Sequence, residues 1–322
     1  MRLLILGAAG MLGRKVTTEV LRGTRAALPV TEILLHDIVL PPAPNTALPV
    51  TVLSGDLTDR RTVSDLTRLE PDVVLHLAAM VSGAAERDFD RSMQVNLDAT
   101  RALFDAFRAR DHVPVVVYAS SIAVYGGVLP EVVPDDFVQR PETSYGMQKS
   151  ACELLLAEYT RRRFLRGIGV RLPGLVVRPG PPNQAISGFF SSIIREPLQR
   201  REAVLPVSLD TRSCFMSPRT AARCLLHAID VANAPSAAGR TLNAPSLAGS
   251  VGDLIDALRR VAGDAAAELI RQEPDAAVIR VASSWPRAVE THRTRALGFP
   301  ADPDLDALIR VHIEDDLRLP GG

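Results

Sequence analysis

"RLLILGAAGMLGRK", residues 2–15, decides the fold. An apolar run at 3–6 meets three glycines at three-residue intervals, Gly7, Gly10 and Gly13, and a helical pattern carrying Val16, Val20 and Leu21 follows at once. The stretch has the arginine, apolar run and small residues of a secretory leader. Its glycine spacing and the helix directly behind it predict instead a strand turning tightly into a helix. Such a turn lets backbone N–H groups approach a pyrophosphate at a helix N-terminus.

Outward from this unit, "EILLHD" (32–37), "VTVLSGD" (50–56), "DVVLHLAA" (72–79) and "PVVVYASS" (114–121) read as further strands. Helical patterns at 60–69, 93–108 and 144–163 separate or follow them. Runs of Val, Leu and Ile without polar alternation belong to strands buried on both faces, so the reading is an α/β chain with a doubly wound parallel sheet of the Rossmann type. Past residue 173 the rhythm breaks into "RPGPPN", "REPLQ", "NAPS" and "SSWPR", with short helices such as 251–261 between. The expected division is an NAD-binding domain over 1–172 and a smaller, mixed substrate domain over 173–322. A segment near 212–230 is expected to return to the first domain.

Composition narrows the function class. Lys+Arg and Asp+Glu both count 37, which leaves no basic footprint for nucleic acid, and no apolar run reaches the roughly 18 residues of a membrane span. Three cysteines without a C-x-x-C pair argue against disulfides and fit a cytoplasmic protein. The six histidines lack metal-ligand spacing, so no metal site is expected.

Asp37 ends the second strand, about twenty residues beyond the glycine turn, where a carboxylate accepts from adenosine ribose hydroxyls and repels a 2′-phosphate. Ile38 and Val39 follow, with no arginine for that phosphate, so the cofactor read here is NAD. Asp56 and Leu57 after the third strand are candidates for the adenine edge. Leu77, Ala78 and Ala79 after the fourth are small enough for a cofactor to lie along the backbone.

"SYGMQK" (144–149) places Tyr145 and Lys149 on one helical face. Y-x-x-x-K alone is common in helices, but Ser120 and Ser121 at the end of "PVVVYASS" sit where ligands meet such sheets. Hydride transfer from an alcohol needs a base for its proton, and bringing a tyrosine from about 10 to about 7 requires about 4 kcal/mol. An ammonium at about 4–5 Å supplies roughly 3–4 kcal/mol at an effective dielectric of about 20. The pair is therefore read as catalytic.

These residues resemble the extended short-chain dehydrogenases/reductases, the family of nucleotide-sugar epimerases and dehydratases. "GAAGMLG" resembles their G-x-x-G-x-x-G turn, "SSIAVYG" their serine strand and "YGMQK" their Y-x-x-x-K. The resemblance implies catalytic roles for Tyr145, Lys149 and Ser121, and places Met11, Leu12, Asn96 and Pro173 along the cofactor with the residues above. "MVSG", "LPEVV", "VRPGPPN", "GFFSSIIREPL", "VASSWP" and "ALGFPAD" are similar to a branch that oxidises the four-carbon sugar acid D-erythronate at C2 with NAD. Nucleotide-sugar relatives carry R-x-x-x-H-V-x-D where this chain has "RSCFMSPR"; Arg212 is kept, while Met216 and Arg219 replace the His and Asp. A small acid needs a cation, for which Arg212 is the first candidate and Arg178 the second. Ser82, Asn183 and Phe189 are further pocket candidates, and a nucleotide-sugar epimerase or dehydratase with tightly bound NAD is the alternative. The family's habit of pairing through the helices after the fourth and fifth strands implies a homodimer.

Overall fold

A computed structural model of the chain describes residues 1–23, 29–180, 186–232 and 241–317. The first six strands are β1 (Arg2–Leu6), β2 (Glu32–Asp37), β3 (Val50–Ser54), β4 (Val73–His76), β5 (Val115–Ser121) and β6 (Arg166–Leu172). They are followed by β7 (Gly174–Leu175), β8 (Ala203–Leu205), β9 (Arg212–Met216), β10 (Thr241–Asn243), β11 (Leu247–Ser250) and β12 (Ile270–Gln272). One sheet has the order β10-β6-β5-β4-β1-β2-β3, parallel throughout. The strand order reverses between β1 and β4, and the crevice beyond their carboxyl ends is where such sheets take ligands.

Alternating side chains of these strands enter two different cores. Leu3, Ile5, Ile33, Leu35, Val73, Leu75, Val115 and Val117 face one side, where they meet Val16 and Val20 of α1 (Met11–Leu21). Leu4, Leu6, Leu34, Val74, Val116 and Tyr118 face the other, against α2 (Arg60–Arg68) and the helices that follow. Burial on both faces is what makes the strands read as continuous apolar runs. Edge strand β3 is the exception, being only partly buried along its length.

Two short helices absent from the sequence reading, α3 (Ser82–Arg87) and α4 (Phe89–Ser92), lead through a π-helical stretch, Met93–Asp98, into α5 (Ala99–Arg108). Next comes α6 (Ser144–Arg161), which starts on Thr143, whose hydroxyl accepts from the Gly146 N–H at 3.0 Å. Strand β6 is likewise absent from that reading, because Gly167, Gly169 and Arg171 interrupt its apolar run. The glycines are a packing need: a Cβ on Gly167 would lie 2.6 Å from Leu156, and one on Gly169 2.5 Å from Thr241. Arg171 is tolerated inside because Glu153 of α6 pairs with it at 2.7 Å.

Beyond β7, α7 (Gly188–Leu198), α8 (Pro218–Ala232) and α9 (Val251–Ala262) complete the principal helices. Ala221, Leu225 and Ile229 of α8 join the core between the large sheet and α1. A separate apolar core gathers Phe189, Phe190, Ile193, Phe215, Leu254, Leu258 and Leu308, beside the small sheet β11-β9-β7. Among the described residues no helix is long and apolar enough to cross a membrane.

Candidate active site

The glycine turn is closed by backbone contacts that exclude any side chain. Gly7 has φ +88°, and a Cβ there would sit 2.7 Å from the Ala78 N. A Cβ on Gly13 would stand 2.3 Å from the Gly7 carbonyl oxygen, so its absence lets α1 begin against the turn. Gly10 caps α1 with no side-chain hydrogen bond, and no acid lies in the first turn, leaving the N–H groups of Met11, Leu12 and Gly13 as the orphan donors of a helix start. Asp37 is fixed at the mouth by the N–H groups of Ala9 (2.9 Å) and Ile38 (2.7 Å). Ile38, Val39 and Leu40 beyond it are exposed.

Around this cradle the other cofactor candidates divide. Leu77 and Ala78 border Gly7, and Ala79 continues the same loop. Leu57 is buried, while the Asp56 carboxylate is engaged by Arg91 and by the Thr58 N–H at 2.9 Å. Burial opposes that arrangement, yet these partners hold its carboxyl below the usual range. Asn96 is turned inward: its oxygen accepts from the Met80 N–H at 2.7 Å, and its amide donates to the Met80 carbonyl (3.0 Å) and to Gln148 (2.7 Å). It pins the loop after β4 to α6. Pro173 is buried directly after β6.

Ser121 and Tyr145 meet across the end of β5. The Ser121 hydroxyl accepts from the Ala123 N–H at 3.1 Å and lies near enough to the Tyr145 phenol to favour its ionised form. Its neighbour Ser120 is fully buried and bonds Glu153 instead, which separates the two serines by position. What brings Tyr145 here is Gly146, where a Cβ would lie 2.1 Å from the Ala123 carbonyl oxygen. Sequence reading passes over that glycine, although a glycine in the first turn of a helix is itself a signal of close approach.

The electrostatics depart from expectation. Burial pushes the Tyr145 phenol up to about 12, against the nearby Arg178 charge and the Ser121 hydroxyl. The Lys149 ammonium donates to the Ala119 carbonyl at 2.8 Å, 4.5 Å over the Tyr118 ring and 5.6 Å from the Tyr145 ring centre. Burial lowers Lys149 itself to about 8.

The two candidate arginines differ in the partners they already have. Arg212 is half-exposed and salt-bridged to Glu131. Arg178 acts by charge on Tyr145, is lowered by burial, and has no carboxylate partner among the described residues. Its guanidinium is steadied by the Leu175 carbonyl (3.2 Å) and the Ser187 hydroxyl (3.1 Å). Ser82 opens α3, which packs beside α6. Phe189 packs with its ring centre 4.2 Å from that of Phe190 and belongs to the second core. Asn183 lies outside the described residues.

Comparison with known proteins agrees with this geometry. The profile of the NAD dependent epimerase/dehydratase family matches residues 3–246. The chain belongs to that family. It is an NAD-dependent enzyme, and the turn, the free helix start and Asp37 fit that cofactor. The chain is 43% identical to D-erythronate dehydrogenase of Cupriavidus necator over 320 residues, covering 98% of each. It is 35% identical to the enzyme of the same name from Haemophilus influenzae, over 98% of this chain and 100% of that one. The crystal structure of a nucleoside-diphosphate-sugar epimerase from Agrobacterium tumefaciens superposes with a TM-score of 0.93 at 46% identity, over 98% of this chain and 94% of the other.

Proposed function

We propose that this chain oxidises a small 2-hydroxy sugar acid, D-erythronate or a close analogue, at its C2 hydroxyl with NAD. The carrying observation is Arg178: a partly buried guanidinium, free of carboxylate partners among the described residues and within electrostatic reach of Tyr145. A guanidinium so placed grips a carboxylate by two parallel hydrogen bonds. Two curated relatives of nearly full coverage bear the name D-erythronate dehydrogenase, which supports the same reading.

Held in the glycine turn, NAD supplies the acceptor for the C2 hydride. Tyr145 takes the hydroxyl proton, and Ser121 holds that oxygen and keeps the phenol oriented. Lys149, engaged with the Ala119 carbonyl, fixes the end of β5 and contributes positive charge below the phenol. The backbone cradle is Gly7, Gly10, Met11, Leu12 and Gly13, with Asp37 on the ribose and Leu77, Ala78 and Ala79 alongside. Residues 1–172 serve the cofactor and 173–322 mainly the substrate, with α8 packing back on the large sheet. Pairing of two copies through α5 and α6, where Leu154 is 68% exposed, and a cytoplasmic location complete the reading.

The nucleotide-sugar alternative rests on the name borne by the Agrobacterium protein. Against it, Met216 is fully buried and Arg219 is tied to Glu314 and Asp315, so neither position offers a nucleotide the groups that relatives place there. Purified protein mixed with NAD and D-erythronate is expected to generate NADH absorbance at 340 nm. Conversion of a UDP-sugar without net NADH, with D-erythronate inert, reverses the choice.

A further inference from the structure

A polar cluster joins the loop between Ser121 and Tyr145 to a segment near residue 290, and none of its members is used in that chemistry. Val133 and Val289 form an isolated parallel bridge, with the Val133 N–H donating to Ala288 (2.9 Å) and the Glu290 N–H to Val133 (2.8 Å). This pairing places Asp135, two residues on, beside Glu290, whose carboxylate accepts from the Asp135 N–H at 3.3 Å. His292 turns back onto Glu290, with Nδ1 3.0 Å from its carboxylate. One donor atom from each of Asp135, Glu290 and His292 lies within 4.8 Å of the others.

Asp135 is the informative member. It is only 7% exposed, and neither of its carboxylate oxygens has a hydrogen-bond partner among the described residues. Burial pushes its carboxyl up; Arg293 and the Asn243 N–H temper this without forming a hydrogen bond or ion pair to it. A buried carboxylate left so bare is costly unless a cation answers it. Glu290 and His292 are progressively more exposed, which leaves an open approach to the buried acid.

We propose that Asp135, Glu290 and His292 form a divalent-cation site that staples the segment around residue 290 to the loop leading into α6. Two carboxylates and one imidazole suit Mn²⁺ or Zn²⁺ rather than Ca²⁺ or Mg²⁺, which favour all-oxygen shells. Donors around a tetrahedral zinc stand about 3.3 Å apart, so the half-buried Glu290 and the exposed His292 close in by roughly an ångström while Asp135 stays fixed. No metal spacing is legible in the sequence because the ligands are 155 and 157 residues from Asp135 in the chain (290 − 135 and 292 − 135) and meet only through the Val133–Val289 bridge.

The test is direct binding to the full chain. Protein stripped with EDTA is titrated calorimetrically with MnCl₂ and ZnCl₂ and unfolded thermally with and without each. One equivalent is expected to bind, raising Tm by about 3 °C or more at saturating metal. His292→Gln, a change at an exposed position, weakens binding at least about tenfold, and Asp135→Asn abolishes it. No uptake of either metal overturns the proposal. So does equal binding by wild type and His292→Gln, or binding that survives Asp135→Asn.

Discussion

Lys149 donates to the Ala119 carbonyl at 2.8 Å while the Tyr145 ring centre lies 5.6 Å from its ammonium. The lysine serves the strand end first and the phenol second. Tyr145 in the free chain is consequently governed by burial, which holds it near 12. Difference absorbance between wild type and Tyr145→Phe is expected to show no tyrosinate from this residue below about pH 11. Saturating NAD⁺ lowers that titration by about 2 units, the effect of one positive charge at about 5 Å in a medium of dielectric about 20. A free-chain titration near 7 contradicts this electrostatic account.

Arg178 and Arg212 make a second, opposed pair. Removing a charge-assisted contact to a substrate carboxylate costs about 1.5–3 kcal/mol. Arg178→Met is therefore expected to raise KM for the sugar acid by about 10–150-fold while leaving the Kd for NAD unchanged. Arg212→Met, whose loss frees only an exposed ion pair with Glu131, changes KM less than about threefold. Steady-state kinetics on both variants decide it, and a larger effect at Arg212 restores the sequence-based order.

His76 gives a stability signature. It is fully buried, one ring nitrogen lies 3.0 Å from the Thr100 hydroxyl, and burial with the Lys149 charge lowers it to about 3. The folded state keeps it neutral while the unfolded chain takes a proton below about 6.5, so stability is whole above that pH and declines as pH falls toward 3. Between pH 7.5 and 5 the expected loss from this residue is about 2 kcal/mol. His76→Asn removes that part of the slope in urea denaturation at the two pH values. Equal losses in variant and wild type mean that the histidine is not the source.

The legible parts of this chain are those with a local cause. The glycine turn, four strands buried on both faces, the edge strand β3 and the helix after Thr143 are written in consecutive residues, so periodicity and spacing find them. β6 escapes because its glycines answer Leu156 and Thr241, and its arginine answers Glu153, all distant in sequence. The partners of the Asn96 amide, Met80 and Gln148, are likewise invisible from its local sequence. Choosing between Arg178 and Arg212 requires knowing which has already found an acid.

Gly146 joins these levels in one atom. A Cβ at this position would lie 2.1 Å from the Ala123 carbonyl oxygen, inside any real contact, and that oxygen is backbone that cannot swing away. Helix α6 must therefore shift in Gly146→Ala, carrying Tyr145 away from Ser121. Misplacement of about 1 Å can cost about 100-fold in rate, so kcat is expected to fall at least about tenfold, with KM and NAD affinity little changed. Met147→Ala, one residue on in the same helix and only partly buried, is the control and should retain most activity. A Gly146→Ala enzyme with undiminished kcat means that the close approach of α6 to Ala123 does not seat the tyrosine.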